Sequence, residues 1–247
     1  SITSGQDHEW AVDEGTDPVV DVEPAQEELV DLRDFPRGPG PGTLVHEIFE
    51  ELDFGAARAE LDAVVNEKLT VWGLDPLLWG AVLSSSLAGM LDVPLPTSGT
   101  AMPLRALDRV ARLDEMAFLL PVAPSGVALS VERLAAVLRA HGNVPEAYPD
   151  RVAALPAEPV KGFLTGFLDL VFVWEGRWYV VDYKTNHLGD KVSDYRAEQL
   201  EAAMSEHHYY LQYHFYTVAL HRYLARRLPD YDYETSFGGV MYLFLRG

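Results

Sequence analysis

The stretch Phe163–Lys184, which reads FLTGFLDLVFVWEGRWYVVDYK, decides the fold of this chain. Two apolar runs, Phe163–Trp174 and Trp178–Lys184, are separated by Glu175-Gly176-Arg177. Runs rich in Val and aromatic residues that are joined by a short segment containing Gly are typical of a β-hairpin. We therefore predict an antiparallel pair of strands at the centre of the fold.

The register of this hairpin brings two carboxylates together. If the turn is centred on Glu175-Gly176, Asp169 lies opposite Asp182. Directly opposed side chains share one side of a sheet, with Cβ atoms about 5 Å apart, and Lys184 lies on that side too. Two acids among apolar flanks are unfavourable without a compensating charge, which a divalent cation such as Mg²⁺ supplies. A solvated hairpin end with a lysine salt bridge is the alternative that this pattern alone leaves open.

The segments around the hairpin alternate between helical and strand patterns. Thr43 is predicted to cap the first helix, which follows the Pro- and Gly-rich loop Phe35–Gly42. This mixture predicts an α/β fold with a mixed central sheet flanked by helices. The remaining predicted elements are helices at 59–71, 76–91 and about 195–227, a short helix capped by Ser130 and ending at Gly142, and strands at 116–120 and 237–245.

The net charge of −19 is concentrated at the start of the chain. Residues 1–34 carry eleven Asp or Glu and a single basic residue, Arg33, with no helical or strand period. This composition predicts an acidic flexible tether at 1–34, followed by one domain at 35–247. From residue 160 onward, eleven acidic residues stand against nine basic ones, so the predicted domain is only mildly acidic.

The lack of cysteine and of long apolar runs excludes several classes of protein. The chain has no Cys, which excludes disulfides, cysteine-ligated zinc and iron–sulfur clusters, and agrees with a cytoplasmic location. No run of 18 or more apolar residues predicts a membrane span.

A series of segments resembles the nuclease motifs of one family, in the family's order. The series closely resembles the C-terminal nuclease domain of bacterial RecB subunits (exonuclease V beta), which implies a restriction-endonuclease-like PD-(D/E)xK fold. The matching segments are 35–38, 42–46, 166–171, 181–189, 202–204, 210–216, 219–224 and 237–247.

The resemblance implies a role for each residue of the predicted metal site. Asp169 and Asp182 resemble the family's metal-binding carboxylates, and Lys184 resembles the lysine of the PD-(D/E)xK core. His46 resembles an additional metal ligand brought in from a helix, and the backbone carbonyl of Tyr183 completes the set. Mg²⁺ is the implied ion, and Mn²⁺ or Ca²⁺ can take the same ligands.

A Gln-x-x-x-Tyr motif, formed by Gln212 and Tyr216, also matches the family. Residues four apart share a helix face, and the resemblance implies that both contact DNA. A packed aromatic helix is the alternative, because Tyr209, Tyr210 and Tyr213 are close neighbours in the sequence.

The implied activity is Mg²⁺-dependent cleavage of DNA within a RecBCD-type helicase–nuclease that repairs double-strand breaks and degrades linear DNA. The implied partners are single-stranded DNA, duplex ends, RecC and RecD, with RecA as a further candidate. The chain has no Gly-x-x-x-x-Gly-Lys-[Ser/Thr] loop, so we expect the ATPase to lie outside it. Two other classes stay open: a non-catalytic nuclease-like module that docks RecC or RecA, and a stand-alone resolvase or endonuclease.

Overall fold

The structure, a computed structural model, describes residues 27–122 and 126–247. Helices and strands alternate in these ranges, as the sequence patterns predict. The elements are α1 (Pro39–Glu51), α2 (Arg58–Val71), α3 (Pro76–Asp92), β1 (Pro94–Leu95), β2 (Met102–Pro103), β3 (Arg112–Pro121), α4 (Val131–His141), α5 (Tyr148–Ala153), β4 (Phe163–Trp174), β5 (Arg177–Lys184), α6 (Ala197–Glu206), α7 (Tyr209–Arg227), α8 (Tyr233–Ser236) and β6 (Phe237–Phe244).

A four-stranded sheet in the order β3-β4-β5-β6 forms the centre of the fold. β3 and β5 both run antiparallel to β4, whereas β6 runs parallel to β5. The sheet is therefore mixed, and the α/β fold class predicted from the sequence is confirmed. β1 and β2 form a separate short antiparallel pair.

The central hairpin has the predicted register. Val171 pairs with Val180, and the regular pairing ends at Leu170 opposite Val181, one position before the two aspartates. Glu175 and Gly176 both have positive φ, 48° and 78°. A two-residue turn with positive φ at both positions has the backbone twist that matches two paired strands.

Each face of the sheet carries its own apolar core. On one face, α1, α2 and α3 pack against Leu170, Phe172 and Tyr179 of the hairpin. On the other face, α7 packs against Leu168, Val171 and Val180. The hairpin is thus buried on both sides, which is why its strands are nearly continuous apolar runs.

The first helix starts earlier than its sequence pattern predicts. α1 begins at Pro39, after Gly38, and the Thr43 hydroxyl donates to the Pro39 carbonyl inside the helix instead of capping it. The predicted Thr43 cap is therefore wrong. A proline is tolerated in the first turn because the N–H that it lacks would have no helical partner there.

The long helix predicted at 195–227 is two helices. α6 ends at Glu206 and α7 begins at Tyr209, because His208 adopts a left-handed conformation with φ of 56°. A left-handed residue interrupts the helical hydrogen bonds. The Tyr148 hydroxyl of α5 then accepts a hydrogen bond from the Leu211 N–H, which satisfies one donor of the new helix.

Residues 27–34 lie against the domain. Val30 and Leu32 are buried, and the Val30 N–H donates to the carbonyl of Asp190. Arg246, near the end of β6, donates to the carbonyl oxygens of Leu32 and Phe35. Residues 27–34 of the segment predicted as a tether are therefore packed on the domain, and the boundary itself stays a prediction. Residues 1–26 of the predicted tether lie outside the described residues.

The described helices include no long apolar one that could span a membrane.

Candidate active site

Asp169 and Asp182 meet at the open end of the central hairpin. Asp169 Oδ2 accepts a hydrogen bond of 2.9 Å from the Tyr183 N–H, which joins the two strands where their regular pairing ends. Asp182 is almost fully buried, at 1% exposure. Its Oδ2 forms an ion pair of 2.5 Å with Lys184 Nζ.

Burial makes this pair of acids electrostatically unfavourable. It raises the pKa of Asp169 to about 6, and the neighbouring Asp182 contributes to the rise. Burial also raises the pKa of Asp182, which Lys184 partly counteracts. A buried and a half-buried acid that both resist ionisation offer carboxylate oxygens of the kind that a divalent cation takes as ligands.

His46 reaches the same place from α1. Its Nδ1 lies 3.6 Å from Asp169 Oδ2, and its Nε2 lies 3.1 Å from the Tyr183 carbonyl oxygen. The three predicted ligands His46, Asp169 and the Tyr183 carbonyl are thus neighbours. Among the described residues, no group of three or more His, Asp or Glu side chains is arranged so that it could hold a metal ion by itself.

Lys184 connects these acids to α7. Its Nζ donates to Gln212 Oε1 at 3.1 Å, and Gln212 Nε2 donates to the Tyr216 hydroxyl at 2.6 Å. The Tyr216 hydroxyl is in hydrogen-bonding reach of Asp182. The Gln-x-x-x-Tyr motif therefore faces Lys184 and Asp182 from a half-buried position, and a direct contact with DNA stays a prediction.

Two further tyrosines surround the lysine, and the sequence reasoning missed their role. Lys184 Nζ lies 4.0 Å from the centre of the Tyr209 ring and 5.4 Å from that of Tyr242. The Tyr242 hydroxyl also donates to Gln212 Oε1 at 3.2 Å. The sequence spacing could have indicated Tyr209, because it precedes Gln212 by three residues and therefore lies on the same side of one helix. Cations are attracted to aromatic faces at such distances.

Glu115 occupies a register position that the sequence did not reveal. Its neighbours Asp114 and Met116 pair with Leu170 and Leu168, so Glu115 lies across from Asp169. Its φ of 46° coincides with a gap in the regular pairing between β3 and β4 at this position.

Glu115 and α1 enclose a polar cavity of about 470 Å³ whose lining includes His46 and Glu50. Burial, together with a hydrogen bond to Glu115, raises the pKa of Glu50 to about 7. Glu50 is therefore partly protonated at neutral pH, where an isolated glutamate would be ionised.

We expect the melting temperature of the metal-free chain to fall by several degrees as the pH rises from about 4 to about 7. Asp169 has a folded-state pKa of about 6 against an ordinary value of 3.8. Its proton therefore stabilises the folded state fully below the ordinary value, and this contribution is lost as the pH rises through the folded-state pKa. Scanning fluorimetry in EDTA measures the effect.

Asp169→Asn is the matched control, because it removes the titration of Asp169. Asp182 and Glu50 also have raised pKa values, so their ionisation still lowers the stability of the folded state as the pH rises. Its melting temperature should depend less on pH than that of the wild type. Equal slopes for the two proteins would contradict the prediction.

The pair of acids, the lysine two residues after the second acid and the mixed sheet match the pattern of the PD-(D/E)xK class of nucleases. Residues 26–246 match the PD-(D/E)XK nuclease superfamily, and the chain belongs to that superfamily.

Within it, the chain is similar to RecB subunits of the RecBCD enzyme, which confirms the resemblance found in the motifs. It is 40% identical over 238 residues to the subunit of Escherichia coli K12, a match that covers 93% of this chain and 19% of that protein. Identity is 38% over 231 residues to the subunit of Mycobacterium tuberculosis CDC 1551/Oshkosh, covering 87% of this chain and 21% of the relative. Identity is 35% over 227 residues to the subunit of Haemophilus influenzae, and this match covers 87% of this chain and 17% of the relative. The chain thus spans about a fifth of the length of these relatives.

Proposed function

We propose that this chain is the DNA-cleaving domain of a RecBCD-type helicase–nuclease, with Mg²⁺ as its cofactor. One observation carries the proposal: the buried Asp182 lies beside the half-buried Asp169 at the end of the hairpin, with Lys184 against Asp182. A buried acid pair destabilises the fold by itself, so it indicates a site kept for a bound cation.

His46, Asp169, Asp182 and the Tyr183 carbonyl would hold this ion. When bound, a divalent cation polarises a phosphodiester and lowers the pKa of a coordinated water. The two aspartates have to be ionised to serve as ligands, so cleavage should weaken as the pH falls through the raised pKa of Asp169.

Lys184 supplies a fixed positive charge beside the acids. A charge that is already positioned where negative charge develops on the phosphate lowers the barrier without reorganisation. Gln212 holds the Nζ by a hydrogen bond, and Tyr209 lies against it. In this proposal the Gln-x-x-x-Tyr motif orients the lysine, in addition to any contact with DNA.

The wider role rests on similarity to the RecB subunits. We propose that the chain acts in the cytoplasm in double-strand break repair and degradation of linear DNA. RecC and RecD are the proposed partners and RecA a further one, because the relatives are subunits of the RecBCD enzyme.

The test is degradation of end-labelled DNA by the purified 247-residue chain in Mg²⁺. We expect linear single strands and duplex ends to be degraded, and EDTA to stop the reaction. A wild-type chain that cleaves nothing would indicate a docking module. Cleavage confined to branched DNA would indicate a resolvase, and both outcomes would overturn the proposal.

A further inference from the structure

A groove runs along the free edge of the central sheet. β3 pairs only with β4, so the backbone groups on its other edge have no strand partner in the described part of the chain. That edge, Met116–Pro121, and the second half of α7 enclose a groove of about 230 Å³. α7 contributes Arg222, Tyr223, Arg226 and Arg227 to its wall.

The three arginines are free cations in a chain of net charge −19. All three are exposed, and none forms an ion pair or donates a side-chain hydrogen bond among the described residues. Several basic side chains elsewhere in the described structure are neutralised locally: Arg58 pairs with Asp62, Lys68 with Glu51, Arg105 with Asp92 and Arg139 with Asp150. An uncompensated cluster in an acidic protein indicates an anionic ligand.

The groove and the candidate active site share one helix. Gln212, Tyr216, Ala219, Tyr223 and Arg226 follow at intervals of three or four residues, which places them along one face of α7. The Tyr216 ring packs at 6.0 Å from Phe118, in the strand that forms the other wall of the groove. The groove, which α7 lines from Ala219 to Arg227, therefore lies on the same helix face as Gln212 and Tyr216, and Arg226 is about 21 Å along the helix from Gln212.

We propose that this groove holds the backbone of one nucleic-acid strand that extends from the candidate active site. Arg222 and Arg226 bind successive phosphates, and Arg227, whose guanidinium carbon lies 5.4 Å from the centre of the exposed Tyr223 ring, adds a third positive charge beside that aromatic side chain. A positively charged groove with aromatic side chains is the usual arrangement for a single strand. The inference rests on the proposed function, because the strand is the one whose phosphate reaches Asp169 and Asp182.

A peptide that pairs with the free edge of β3 is the competing occupant. Such a ligand is held by backbone hydrogen bonds and has no need of three free cations on the opposite wall. The arginines favour a ligand with a regularly repeated negative charge, which a phosphodiester backbone has.

The test measures binding rather than cleavage, so that it stays informative if the proposed function fails. Fluorescein-labelled oligothymidylate is titrated with the full chain in EDTA, and the anisotropy is followed across a range of salt concentrations. The variant is R222Q/R226Q. The matched control is R151Q/R196Q, which removes the same charge from two exposed arginines that form no ion pair among the described residues.

We expect R222Q/R226Q to bind a strand of about 20 nucleotides tenfold more weakly at low salt, with a salt slope smaller by roughly 1.4. The control should bind like the wild type.

Each result decides one question. Equal weakening by both double variants, or a salt slope that R222Q/R226Q leaves unchanged, would overturn the groove assignment. A groove variant that binds DNA normally but no longer binds a β-strand peptide would assign the groove to a peptide. A chain that cleaves no DNA but shows the expected binding defect would overturn the proposed function and leave the groove assignment in place.

Discussion

Replacing Asp182 with Asn should abolish DNA cleavage and leave the metal-free fold at least as stable as the wild type. Asp182 is 1% exposed, lies beside Asp169, and forms an ion pair of 2.5 Å with Lys184. The amide keeps the volume of the side chain and removes a buried negative charge. It also relieves the repulsion that helps to raise the pKa of Asp169.

We expect the cleavage rate to fall by at least about 10³-fold, because the loss of one positioned electrostatic group already costs about 10²–10³. Single-turnover cleavage of labelled single-stranded DNA in Mg²⁺ measures this loss, and thermal melting in EDTA measures stability. Asp230→Asn is the matched control, since Asp230 is exposed and makes no ion pair among the described residues. A variant that retains cleavage near the wild-type rate would remove Asp182 from the active site.

Lys184→Ala should lower the cleavage rate by about 10²–10³-fold while it changes metal affinity only a few-fold. Lys184 contacts Asp182, Gln212 and the Tyr209 ring. Its charge competes with a cation for Asp182, so its removal should not weaken metal binding at a pH where both aspartates are ionised. What is lost is the positive charge beside the reacting phosphate.

Calorimetric titration with Mn²⁺ and single-turnover cleavage separate the two effects. Lys191→Ala is the matched control, because this exposed lysine pairs with Glu27, away from the acids. His46→Ala should show the converse pattern, with weaker metal binding and activity partly restored at high metal concentration. A loss of Mn²⁺ affinity in Lys184→Ala as large as that in Asp169→Ala would show that the lysine organises the ligands instead.

The hairpin could be predicted because its contacts are local. Glu175 and Gly176 form the turn, and the strands on either side pair outward from it residue by residue. The register follows from the centre of the turn, so the meeting of Asp169 with Asp182 was contained in a stretch of 22 residues. The mixed fold followed from the alternation of helical and strand periods around that hairpin.

The surroundings of the acids depended on contacts between distant parts of the chain. Glu115 lies across from Asp169, and the hydrogen bond from Lys184 to Gln212 joins a strand to a helix. Spacing along the chain carries no information about such contacts. For the same reason the sequence patterns indicated that Gln212 and Tyr216 share a helix face, but not that this face looks toward the lysine.

The chain by itself therefore determined which residues could pair within one hairpin and one helix. Tertiary structure decided where each helix starts and stops and what each face meets. After the break at His208, the Leu211 N–H donates a hydrogen bond to the Tyr148 hydroxyl. Arg246, at the other end of the domain, donates to the Leu32 carbonyl and so holds residues 27–34. In each case a hydrogen-bonding group is satisfied by a partner remote in the sequence. Only the folded arrangement brings that partner close.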